Sequence, residues 1–410
     1  MSTAPNDTLD TTVQPEDYYD HFWETKPGTI GGKYLRQFWH PVLRASDLER
    51  GRAKPVRLMS ENYTLYRGAD GKPHFTVHLC PHRKVPLSIG FVEDDSIRCM
   101  YHGWKFGPDG RCSERPAEGT TGGITIETFP CEEYLGLIYV YVGGGTAPAF
   151  PPYPGFKAEG LIEVYPAMFP CNYVQSFEND WDLYHANYTH KTGEIHGPAA
   201  GPHRSDFFMG LFKSTKFEEK EYGVLRTMTV MGGMLNAAVL FMPATVRLLI
   251  PTFNELSRHT GPSLRETYLI HTPIDDENHL VFASQLVPVT GAKAAAYLED
   301  YHRVEAIKKN FPSTVQMARA GLAGEKHVTD MRDHPMLVEI EDMLTQVGQG
   351  PIVDRRGEKL GKSDGGVVFY RRLFARELHA VATGRPTKNW SYMDPLPEGL
   401  TTDMPIAVSS

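Results

Sequence analysis

Cysteine is scarce: five residues in 410, an odd number at irregular positions, which excludes a disulfide framework and suits a reducing compartment. Long apolar runs are missing as well. The greasiest stretch, Leu235 to Pro251, is broken by Asn236, Pro243, Thr245 and Arg247, short of the roughly 18 uninterrupted apolar residues of a membrane span. There is no basic excess, because 42 Lys and Arg face 50 Asp and Glu for a net charge of −8; nucleic acid, which demands a positive field, drops out as a main ligand. The polar, acidic start from Met1 to Asp20 lacks the basic and apolar segments of a secretory signal, so a cytoplasmic location is expected. No internal repeat and no GxGxxG fingerprint after a strand occurs, which removes a built-in dinucleotide site. The remaining composition, 41% hydrophobic and 22% charged, is that of a soluble globular protein, and the length suggests two domains.

Texture changes near residue 145. From Gln37 to Val142 the chain alternates short strand-like stretches with turn signals such as Asp70-Gly71, Gly107-Pro108-Asp109-Gly110 and Gly122-Gly123, which predicts a small all-β unit. The Gly- and Pro-rich segment 143–154 marks a boundary. Beyond it a helix is expected from Asn172 to His190, strands at 224–231, 237–250, 264–273 and 279–288, and helices at about 294–320 and from Ser363 or Asp364 to Ala382. The class is therefore α+β, with domains at 30–145 and 150–410 and an N-terminal arm, 1–29, packing on either.

Within the β unit lie Cys80-Pro81-His82 and Cys99-Met100-Tyr101-His102. Two thiolates and two imidazoles at this spacing suit two facing loop tips. In a Rieske 2Fe-2S centre two Cys hold one iron and two His the other, so each loop must supply one ligand to each metal, as here. A Cys2His2 zinc site uses the same residue types but usually pairs them as CxxC and HxxxH. Further along, Asp182 and His185 stand three apart, which on a continuous helix places them on one face, whereas His185 and His190 differ by about 140°. A helix carrying them must therefore end or bend before His190 if both bind one metal. Two His and one carboxylate on one side of an iron form a facial triad with open positions, but the third ligand is missing locally.

The flanks Cys80 to Arg83, Pro86 to Ser88 and Cys99 to Trp104, followed by Asn172, Glu178-Asn179, Asp182, His185 and His190, resemble the Rieske non-heme iron oxygenases. The phthalate-type branch is the nearest likeness. Residue Lys84 departs from that pattern, where Gly is commoner. The resemblance implies a Rieske domain with its 2Fe-2S cluster on Cys80, His82, Cys99 and His102, and a helix-grip-like catalytic domain, a central antiparallel sheet with covering helices. It implies a mononuclear Fe(II) on His185, His190 and a late acid matching Asp342, with Glu341 the rival, and Asn179 near the iron. Asp182 would bridge His185 to His102 of a neighbouring subunit in a homotrimer. O2 is the implied co-substrate, with electrons from NADH arriving only through a ferredoxin or reductase partner. The segment Gly31 to Val42 resembles aryl O-demethylases of the branch, which implies oxidation of a methoxylated aromatic acid to a phenol and formaldehyde; cis-dihydroxylation of an aromatic acid is the alternative, and an electron carrier without oxygenase activity a third. For the substrate pocket the candidates are Met228, Met231, Met234 and Met242, which are flexible and polarizable, with Arg247 to pair a carboxylate, and His271.

Overall fold

The computed structural model describes residues 13–151, 153–156, 158–182, 184–192, 214–229, 235–252 and 263–391. Turn-forming residues cut the first part into three small antiparallel sheets. One joins His40–Arg44, Leu137–Val140 and Cys131–Tyr134; a second orders Ala53–Leu58, Glu61–Arg67, Pro73–Val77 and Thr128–Phe129; the third orders Phe91–Glu93, Ser96–Arg98, Lys105–Phe106 and Cys112–Glu114. The Cys99–His102 loop joins two strands of the third sheet, and the Cys80–His82 loop lies between the second sheet and the third, closed by a bridge from Leu79 to Pro86.

The second part is built on a seven-stranded antiparallel sheet ordered Leu161–Phe169, His279–Val287, Ser263–Pro273, Thr245–Thr252, Leu235–Phe241, Gly223–Thr229 and Ser214–Lys220. Two of these strands, at 161–169 and 214–220, had no signal in the sequence pattern. The expected strand 237–250 is instead a hairpin turning at Met242–Ala244, because Pro243 removes a ladder donor. Likewise the expected helix 294–320 is two, Gly291–Lys308 and Thr314–Leu322, parted at Pro312 and restarted by the Ser313 cap.

Strand alternation sorts side chains between the two faces of the sheet. On one face Leu225, Val239, Phe241, Tyr268 and Ile270 pack with Trp39, Tyr139 and Tyr153 from the first part of the chain. On the other, Val224, Ala238, Leu240 and Val246 meet the helices Tyr173–Trp181 and Gly365–Ala382 through Phe177, Trp181, Tyr370 and Phe374. The N-terminal arm joins this second core, with Phe22 against Phe374 at 4.9 Å between ring centroids. Among the described residues no helix is long and apolar enough to cross a membrane.

Candidate cluster and metal sites

Cys80 and Cys99 each open a loop with the same backbone plan. Cys80 N donates to Val85 O at 2.9 Å and Lys84 N to Cys80 O at 2.9 Å; Cys99 N donates to Trp104 O at 2.8 Å and Gly103 N to Cys99 O at 3.1 Å. The fifth residue of each loop is consequently left-handed, with φ 72° at Gly103 and 58° at Lys84. Glycine takes that conformation freely, whereas lysine does so at a cost of roughly 1 kcal/mol, which explains why Lys84 is the odd residue in its motif.

The two cysteines are buried free thiols whose side chains interact, while the rings of His82 and His102 lie 4.5 Å apart and His82 stacks on Trp104 at 4.6 Å. His82 is exposed and His102 half-buried. Sulfur inside and nitrogen at the rim is a donor layout that fits a Rieske 2Fe-2S cluster. Burial pushes the Cys80 thiol up to about 11, so ionisation there is coupled to metal binding.

The second site is set by one short helix. Asn172 caps it, its Oδ1 accepting from Val174 N at 3.0 Å and its amide donating to Trp23 O and Asp276 O. Three residues on, Gln175 donates to Gln346 O and Gly350 O and accepts from Val353 N. Three further on, Glu178 is held by both Arg355 and Arg371, the closest contact being 2.7 Å. Residues three apart share a helix face, so one polar stripe fastens Tyr173–Trp181 to the late segment 346–371. Gly366 allows the approach of the C-terminal helix: a Cβ there would stand 2.9 Å from Phe217 and 3.1 Å from Trp181 O.

The expected continuous helix from 172 to 190 breaks at Asp182–Tyr184, and His185–Thr189 forms a second short helix with His190 at its end. The break turns both histidines inward. His185 Nε2 lies 3.9 Å from Asp342 Oδ1, and His190 Nε2 3.6 Å from the same oxygen. Asn179 donates to His185 Nε2 and to Asp342 Oδ1, each at 3.2 Å. All three donor atoms lie within 4.8 Å of one another. Two imidazole nitrogens and a carboxylate oxygen converging this closely are a donor set that fits a mononuclear iron with open positions.

The outer nitrogens are held too. His185 Nδ1 donates to the Asp182 backbone oxygen, and His190 Nδ1 to Glu341 Oε2 at 3.3 Å. Both rings thus aim Nε2 at the centre, the arrangement that an outer partner imposes on metal-binding histidines. Glu341 and Asp342 therefore address opposite edges of His190. Burial raises the Asp342 pKa against the lowering pull of His190 and His185, and a cation between the three would reverse the sign.

Other candidate residues fall elsewhere. Asp182 does not share a face with His185; as the helix C-cap its Oδ1 accepts from Tyr184 N at 2.9 Å, and only its carbonyl meets His185. Arg247 is corrected: it lies on the sheet face turned away from Tyr173–Trp181, 2% exposed, paired with Glu266 and set over Tyr268. It has its own internal counter-ion and is not placed to meet a substrate carboxylate. His271 is on the helix-covered face and donates to Asp180 Oδ2 at 2.7 Å. Met242 is buried in the core beside Leu240 and Ala244. Met228 lies in Gly223–Thr229 without a described side chain, and Met231 and Met234 are outside the described residues. Sequence reading missed the Gln175–Glu178 stripe; the recurring three-residue spacing of polar residues from Asn172 was the available signal.

Residues 38–130 match the Rieske [2Fe-2S] domain. The chain is 28% identical over 372 residues to the 5,5'-dehydrodivanillate O-demethylase oxygenase subunit of Sphingobium sp. (strain NBRC 103272 / SYK-6), covering 88% of this chain and 80% of that one. It is 27% identical over 390 residues to the phthalate 4,5-dioxygenase oxygenase subunit of Pseudomonas putida, with 86% and 83% covered. The chain is a homologue of Rieske oxygenase subunits. As such it is an oxygenase component, and its domain and homologues imply both a Rieske cluster and a mononuclear iron. The fold of this oxygenase superposes, with a TM-score of 0.59 and 18% identity over 89% of its length and 95% of the other, on the carbazole-bound oxygenase solved in a ferredoxin complex of carbazole 1,9a-dioxygenase. The matched domain encloses both cysteine–histidine loops, and the similarity to whole oxygenase subunits runs far beyond it.

Proposed function

We propose that this chain is the terminal oxygenase of a multicomponent system that removes the methyl group from a methoxylated aromatic acid, ArOCH3 + O2 + 2 H+ + 2 e− giving ArOH + CH2O + H2O. The observation that carries the reading is the convergence of His185, His190 and Asp342 in a chain that separately holds a Rieske domain. Cys80, His82, Cys99 and His102 hold the cluster, in a domain spanning 30–145; the three converging residues hold the iron, in a domain spanning 150–410. When bound, the cluster supplies single electrons and the iron activates O2. The protein's own groups prepare that site: Glu341 and the Asp182 carbonyl fix the two imidazoles, and Asn179 holds Asp342 in place. Demethylation is favoured by the extended similarity to a dehydrodivanillate O-demethylase subunit; the similarity to a phthalate dioxygenase keeps ring dihydroxylation as the second reading.

The chain lacks a dinucleotide fingerprint, so electrons come from a ferredoxin or ferredoxin reductase. Apolar side chains stand exposed at both sites: Leu79, Met100 and Tyr101 on the cluster side, Tyr184 and Tyr188 beside Asp182. Covering one patch with the other on the next copy is a head-to-tail contact, which closes as a ring when the rotation between copies divides a full turn. A homotrimer of this kind would bring Asp182 to the neighbour's cluster rim. With a compatible reductase and methoxylated benzoates, formaldehyde and phenol are expected in equal amounts. A cis-dihydrodiol instead overturns demethylation, and a protein that reduces its cluster without consuming O2 overturns the oxygenase.

A further inference from the structure

The short strand Cys112–Glu114 of the third sheet leads into a loop, 115–123, that touches the rim of the cluster site. Arg115 sets its guanidinium over the Trp104 ring, 5.2 Å from the centroid, and Pro116 packs on Gly103, where a Cβ would stand 3.2 Å from the proline Cγ. The same indole lies parallel to the His82 ring, 4.6 Å away with 3° between the planes. Arginine, tryptophan and histidine thus form one chain of contacts ending at an imidazole that would bind iron. Trp104 is 7% exposed, and its Nε1–H has no hydrogen-bond partner among the described residues. A buried indole is usually anchored by that N–H; here contacts with the ring itself, to a cation and an imidazole, fix its plane. Arg115 is itself held. Its Nε donates to Thr120 O at 2.6 Å, and Glu118 N and Gly119 N close the loop onto Arg115 O at 3.1 and 3.2 Å. Gly122, with φ 62°, lies so close that a Cβ there would stand 2.5 Å from Nη2. The other arginine at the rim, Arg83, lies over Tyr101 at 5.3 Å, but both of these residues are exposed.

We propose that Arg115 is a positioning residue for the cluster: acting through Trp104, it keeps the indole flat against His82 and holds a fixed positive charge beside the histidine-bound iron, which favours the reduced cluster. The inference rests on reading Cys80, His82, Cys99 and His102 as the 2Fe-2S ligands. The potential of such a cluster follows its net charge, its hydrogen bonds and its exposure to solvent. Reduction adds one negative charge, and a cation lying on a buried ring is screened less than one surrounded by water. The consequence for function is the choice of electron donor. A cluster eased toward reduction accepts electrons from a weaker reductant than the same cluster without Arg115 would.

The test is the midpoint potential of the cluster, measured by spectroelectrochemistry on the full chain purified with its cluster, at one pH and one salt concentration. Arg115→Met is expected to lower the ratio of reduced to oxidised cluster at a fixed poise by about three- to tenfold, a negative shift of about 30–60 mV at 59 mV per tenfold for one electron. Arg115→Lys, which keeps the charge without the planar stack, should fall between the two. Arg111→Met removes the same charge from an exposed side chain paired with Asp109, and should leave the potential where it is. An unchanged potential in an Arg115→Met protein with an intact cluster spectrum overturns the inference, and so does an equal shift from Arg111→Met, which would reduce the effect to surface charge. If Arg115→Met does not hold its cluster, Arg115→Lys decides, and a wild-type potential there is the contrary result. A wild type without the visible spectrum of a 2Fe-2S cluster overturns the reading of the loops and the inference with it, whereas the other outcomes bear on Arg115 alone.

Discussion

Glu341 and Asp342 are adjacent in sequence, yet they meet different atoms of the same imidazole, and the consequence is a difference in what each substitution does. Asp342 approaches His190 Nε2 and His185 Nε2 and would be lost as a ligand in Asp342→Ala, leaving two donors that cannot hold iron firmly. Glu341 meets the Nδ1 edge of His190, so Glu341→Gln should keep iron but weaken its affinity by about 10–100-fold, the usual effect of losing an outer partner. Chelator competition on the two variants measures this. Iron retained by Asp342→Ala and lost from Glu341→Gln would exchange the roles assigned here.

At the scale of elements, the short helix Tyr173–Trp181 is the part on which the second site depends, and Glu178 is its deepest fastening. Burial pushes the Glu178 pKa up, but the neighbouring Arg355 and Arg371 outweigh it and the net shift is downward. A carboxylate with a depressed folded pKa contributes stability above its unfolded pKa near 4.3, and that contribution is lost as pH falls through the lower folded value. Glu178→Gln leaves buried Arg355 without its carboxylate and Arg371 with Glu358 alone. It should cost about 3–5 kcal/mol in urea unfolding at neutral pH and flatten the loss of stability below pH 4.3. An unchanged midpoint would show that the stripe does not fasten the helix. How much of this element was legible follows from its residues. The histidine pair and the need for a bend were readable from a 140° mismatch, but the bend's position was not, because Asp182–Tyr184 carries neither Gly nor Pro and yields only when Asp182 caps the preceding helix. The strands 161–169 and 214–220 were equally silent. Glu, Lys and Thr fill the second of these, an edge strand whose hairpin partner Gly223–Thr229 follows after two residues, and so polar an edge strand carries no alternation to read. Arg247 was misplaced for a related reason: alternation is visible in sequence, but which face of the sheet receives the helix is not.

For the whole molecule, the cysteine–histidine loops and the converging His185, His190 and Asp342 occupy separate parts of one chain. On the proposed ring of copies Asp182 would connect subunits, and Asp182→Ala should then keep every metal while turnover stops. The small-sheet fold of the first part and the antiparallel sheet of the second were both legible, since turn residues and two-residue alternation are local signals; their stacking through Tyr153, Tyr268 and Trp39 was not, because aromatic residues at those spacings suit many partners. The most direct test of two iron centres in one polypeptide is iron and acid-labile sulfide counted per chain in the wild type and in His185→Ala/His190→Ala/Asp342→Ala. Three irons and two sulfides falling to two irons and two sulfides, with the visible spectrum intact, is the predicted result; two irons in both proteins, or zinc in place of iron and sulfide, would contradict it.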